Sequence, residues 1–203
     1  MPGTDACGLI TLVMVAKKKN TYLADWLHTT AVRITRVHFA FIGVYILSIV
    51  VFDSWNLYTH DAALQLWTAA GVLLIVNTVI WYLARMKFSN LSLYVVFIIV
   101  LVVADIIFAA YNVSWQRGLA SKSVMLFAVP IITAASLRSR SALMAATTLS
   151  VAAYSLAVVR YFFGNYGQAY RIELWGTVGF YSALMFVLAF LLMIIVVPKN
   201  EKF

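Results

Sequence analysis

In the stretch "VLVVADIIFAAYNVSWQRGLASKS", residues 100–123, Asp105 is the one acid in a run that is otherwise almost wholly apolar. An ionised, unpaired carboxylate in lipid costs at least ~2.5–3.5 kcal/mol, so such a group pairs with a cation, takes up a proton or faces a polar interior. Pairing points to Arg160, and to Arg117 or Lys122 reaching inward from the neighbouring loop. Proton uptake points to transport of protons or cations, which needs a chain of polar groups across the membrane. Asn77 is the other amide well inside an apolar segment, and it lies at a different depth from Asp105. A buried structural pair is therefore favoured over a relay.

Other chemistry is sparse. His28, His38 and His60 are spread over an inner segment, the inner end of the first apolar segment and an outer loop, so they do not converge on one metal. An axial haem role for His38 lacks a partner, and each histidine is read as satisfied at an interface. Cys7 is the only cysteine, which excludes an intrachain disulfide and a CxxC site. There is no nucleophile motif, no Gly-rich phosphate loop and no paired intramembrane acid, so enzyme activity is disfavoured.

The elements that must position Asp105 follow from composition. With 64% apolar residues, 11% charged residues and a mean hydropathy of +0.94, the chain has too little polar surface for a soluble domain and reads as an all-α, multi-pass membrane protein. A span needs about 20 apolar residues. Six segments qualify: 37–52, 62–83, 91–112, 119–137, 142–159 and 174–197. The fourth carries Lys122 near its start and Pro130 in its middle, where a kink is expected. No alternating strand pattern suggests a barrel. Six spans place both termini on one side. If that side is the cytoplasm, it holds eleven of the fifteen basic residues, and only Arg117, Lys122, Arg160 and Arg171 lie outside. The net charge of +8 is thereby assigned to orientation and to contact with anionic lipid. It is divided among short loops, which argues against a nucleic-acid partner.

The organisation expected is a leader over 1–20, an amphipathic cytoplasmic-side helix over 21–36, a six-span bundle over 37–197 and a short tail over 198–203. In the second of these, Leu23, Trp26, Leu27 and Ile34 share one helical face. This suits a helix lying in the membrane interface or, equally, an extension of the first span. The fifth segment is rich in Ala, Ser and Thr, which lets helices approach closely and places it in the bundle interior. Aromatic outer loops make the outer face the place to look for a ligand. The candidate ligand-binding set is Asp105, Arg117 and Arg160 with Tyr111, Trp115 and Glu173.

Asp105, the segment from Gly118 to Ser123, the basic turn from Arg138 to Arg140 and the alanine-rich run after it stand in an order that resembles the second half of the six-helix sensor region of redox-sensing bacterial histidine kinases. The likeness covers about a third of the chain. It departs where the family's double glycine is "RG" and where Lys122 and Ser123 replace a proline and its following aromatic. It implies a sensory or interaction module in a bacterial inner membrane, with a quinone or other hydrophobic ligand and a protein partner or second copy, and without a kinase domain. The rival expectation is a small proton- or cation-coupled transporter or channel using Asp105.

Overall fold

The computed structural model describes residues 5–55, 57–86, 88, 90–115, 122–166 and 172–196. Among them it is all helical. The helices are α1 (Asp5–Ser54), α2 (His60–Arg85), α3 (Leu91–Trp115), α4 (Ala128–Ala135), α5 (Arg140–Tyr166) and α6 (Ile172–Val196), with a 3-10 helix, Lys122–Phe127, running into α4. Five stretches are long and apolar enough to cross a membrane: Asp25–Ser54, His60–Arg85, Ser92–Trp115, Arg140–Gly164 and Trp175–Val196.

In the fourth expected segment, 119–137, the described part is a shorter apolar helix, Lys122–Ala135. The 3-10 segment of 6 residues and the α4 segment of 8 rise together about 24 Å, short of the ~30 Å of a bilayer core. Pro130 does not fall in the middle of a long helix. It is the third residue of α4, in the first turn, where a missing N–H breaks no helical bond. What precedes it is wound as 3-10. Short as it is, α4 packs against α3, α5 and α6, with Phe127 and Ile131 fully buried. Past its end at Ala135 the turn closes at Arg138, whose positive φ of 51° supplies the left-handed conformation that usually falls to glycine, and Ser139 Oγ then accepts from Ala142 N to start α5.

At the first helix the structure has the second of the two expected arrangements, an extension of the first span. No break falls at Arg36: α1 continues unbroken from Asp5 through the amphipathic stretch into the first long apolar run. Thr59 caps α2 by accepting from Ala62 N, and Arg85 stands in its last turn, where a cation complements the helix dipole. Tyr94 closes the turn into α3, accepting from Phe88 N and donating to the Met86 carbonyl.

Buried positions explain how the helices meet. On α2 they are Ala63, Leu66, Ala70, Leu73, Asn77, Ile80 and Ala84, alternating steps of three and four. On α1 the same rhythm runs through Ala31, Thr35, His38, Ile42, Tyr45 and Ile49. Steps averaging 3.5 residues mark a left-handed, knobs-into-holes seam. Apolar side chains elsewhere on both helices are exposed, Val44 and Ile75 among them. α5 buries Thr147, Ser150 and Tyr154 and exposes Leu149 and Leu156, so it is half interior and half surface.

Candidate functional site

Polar side chains fall on the buried seams of α1, α2 and α3, and most of them pair across helices. His38 and Asp105, with side chains 4% and 2% exposed, meet at 2.8 Å from Nε2 to Oδ2. One seven-residue step further along both helices, Tyr45 donates to Asn112 Oδ1. Both contacts have the same sequence offset of 67 residues, so α1 and α3 run parallel in fixed register. Asn77 of α2 donates to the Thr35 carbonyl at 3.2 Å, and Tyr111 donates to Gln65 Oε1.

The geometry at His38 restricts its protons. Nδ1 lies 3.0 Å from the Ile34 carbonyl, which only accepts, so Nδ1 carries a hydrogen. The contact from Nε2 to Oδ2 then holds one proton. Placed on nitrogen it makes an imidazolium facing a carboxylate, and placed on oxygen it makes two neutral groups. Either way the pair is neutral as a unit, which is how an acid and a base can share an apolar interior. Oδ1 of Asp105 has no hydrogen-bond partner among the described residues, and neither do Asn77 Oδ1, Ser150 Oγ and Tyr154 Oη.

Apolar layers separate the pairs. Ile42 and Phe108 lie between the pair of His38 and Asp105 and the pair of Tyr45 and Asn112, with the Phe108 ring 4.8 Å from Tyr45 and 6.3 Å from Phe41. Phe41 in turn meets the His38 ring at 6.3 Å. Against α2 the same Phe108 lines a cleft of about 380 Å³ whose wall is apolar apart from Thr68 and Tyr111.

The partner expected for Asp105 is corrected: it is His38, not an arginine or Lys122. The sequence reading began the first span at Val37, beside Arg36, and so left His38 at its inner edge. In the structure the helix runs on unbroken either side of His38, and the contact sets His38 level with Asp105. Asp105 is correspondingly about 15 Å from the end of α3, because α3 continues past Asn112 to Trp115. Arg160 and Lys122 are exposed. Tyr111 is half-buried on Gln65, with the exposed Trp115 ring 6.2 Å away. Arg117 and the Glu173 side chain lie outside the described residues. Thus the structure brings none of the described candidates to Asp105. Sequence reasoning missed His38, Tyr45 and Asn112 as its neighbours, although the matching steps of seven, His38 to Tyr45 and Asp105 to Asn112, were a signal.

Removing one donor tests the ladder. Tyr45→Phe leaves Asn112 Oδ1 without its donor and is expected to cost about 0.6–1.7 kcal/mol, the span of interhelical hydrogen bonds in lipid, read from denaturation in bicelles.

Comparison with family models, with curated proteins and with solved structures finds no match to the chain.

Proposed function

We propose that the protein is a multi-pass membrane module that senses or interacts, in which contact of a hydrophobic ligand or a change in the bilayer alters the packing of α1 on α3. The observation that carries this reading is the buried pair of His38 and Asp105, the one contact between an acidic and a basic side chain among the described residues, which ties those two helices together. The cleft between α2 and α3 is the input site of this reading. Its wall includes Phe108, and Phe108 packs on Phe41 and Tyr45, the α1 residues beside the pair. Output runs along α1, which continues without a break from His38 to Asp5. On the reading in which Lys122–Ala135 is part of a sixth crossing, the basic bias puts that end, and the end of α6, on the cytoplasmic side. The partial likeness to kinase sensor regions agrees with a module of this kind, acting on a protein partner or a second copy.

A transporter is the second reading, and the ladder of polar pairs is what favours it. Spacing weighs against it. Successive pairs on α1 and α3 stand about 10 Å apart, with Ile42 and Phe108 between, whereas a proton hop needs contacts near 2.8 Å. Reconstitution into vesicles carrying a pH-sensitive dye checks this. We expect no pH-driven flux above protein-free vesicles, together with altered amide exchange in the 23–36 segment of α1 in Asp105→Ala. Flux in the wild type that disappears in Asp105→Asn would overturn the sensory reading in favour of transport.

A further inference from the structure

Arg33, Arg36 and Arg85 are exposed and form no ion pair with any described carboxylate. Contacts between α1 and α2 place them on one strip. The Thr35 carbonyl, next to Arg36, accepts from Asn77, and Phe39, three residues on, meets the Trp81 ring at 5.9 Å. Arg85, four residues past Trp81, holds its guanidinium 4.0 Å above that same indole. Residues three or four apart share a helix face, so Arg36, Phe39, Trp81 and Arg85 are neighbours across the seam. Helical side chains lean toward their own N-terminus, and α1 and α2 are antiparallel. The heads of Arg36 and Arg85 therefore lean toward each other.

The chemistry of the strip selects its ligand. A guanidinium held over an indole by cation–π attraction has N–H groups left to donate, and its fork binds two phosphate oxygens. Beside the cations stand Val37 at 63% exposure, Val79 at 52% and Tyr82 at 61%, so the ligand must offer apolar chains next to an anionic head. We propose that Arg36 and Arg85, with Trp81 beneath and Arg33 one turn away, bind the phosphate headgroup of an anionic phospholipid in the leaflet on the side of the loop joining α2 to α3. This rests on reading α1 and α2 as membrane spans.

The test uses the full chain with phosphatidylglycerol and phosphatidylcholine as probes, counting retained lipid by native mass spectrometry. The wild type is expected to retain phosphatidylglycerol in preference. Arg36→Gln or Arg85→Gln should each reduce that preference about fivefold, and the double variant about thirtyfold, from the attraction of one basic residue near a membrane surface. Arg160→Gln, an exposed cation on α5, should leave it unchanged. Arg85→Lys keeps the charge but not the planar fork and should lose part of the preference, which keeps the test open if the glutamine variants fold poorly. An equal preference in the double variant, or displacement of the lipid by millimolar inorganic phosphate, overturns the proposal. Resistance to alkaline extraction from phosphatidylcholine vesicles separates the two levels. If the protein is extracted, the spanning reading fails, whereas retention without lipid preference sinks the headgroup site alone.

Discussion

Asp105→Ala is expected to destabilise the bundle by about 2–3 kcal/mol, and Asp105→Asn by less than about 1 kcal/mol. The alanine variant leaves His38 Nε2 buried with nothing to meet, and an unsatisfied buried polar group costs about 1–3 kcal/mol before the small cavity is counted. The full ~3–5 kcal/mol seen when a buried ion pair loses one partner is not reached, because imidazole escapes by giving up its proton. Asparagine restores the contact, since its amide donates to Nε2 from the same place. The double-mutant cycle with His38→Ala says where the shared proton sits. Interhelical hydrogen bonds between neutral groups in lipid couple by ~0.6 kcal/mol on average and ~1.7 at most. A coupling above that range identifies imidazolium facing carboxylate, and one inside it identifies the neutral pair. Steric-trap unfolding in bicelles supplies the four stabilities, and zero coupling would remove the contact from the account of the fold.

How much of this could be read from the sequence differs by feature. Long apolar runs show at once in α2, α3 and α6, because a helix packed in hydrocarbon is apolar on its outer face and nearly so inside. The same uniformity hides which face is buried. Asn77 and Asn112 mark theirs by being polar, whereas Ile42 and Val44 are alike in hydropathy and opposite in burial. The fourth helix is less legible: its sequence is apolar for long enough to span, while its winding, 3-10 as far as Phe127, depends on what surrounds it. Charge misled at the first helix. Arg33 and Arg36 read as the edge of a span, but long cationic side chains carry their heads away from their backbones, so the helix continues beneath them. Once His38 was placed at that edge, Asp105 could only be sought a partner among the outer arginines. Contact between α1 and α3, which carries the site, is a tertiary fact. Its trace in the sequence is the repeated step of seven residues.

The second large effect belongs to the other half of the bundle. Phe127→Ala is expected to cost about 2 kcal/mol, and the argument turns on the solvent. Phe127 is fully buried where the 3-10 helix meets α4, edge-on to Tyr154 at 5.9 Å. In a water-soluble core this truncation costs ~3–5 kcal/mol, part of it because the phenyl ring is lost from an environment it prefers to water. In a bilayer the separated helices surround the ring with lipid that is as apolar as the core, so that part cancels. What remains is the void, roughly 100 Å³ at about 24 cal/mol per Å³. Ile194→Ala on α6, at 79% exposure, opens no void and is expected to change stability by less than about 0.5 kcal/mol. The contrast between these two variants, measured in the same bicelles, tests whether packing alone holds α4 among α3, α5 and α6. If both cost the same, the bundle is held by something other than the fit of Phe127, and the short fourth helix would need a different explanation for its place at the centre.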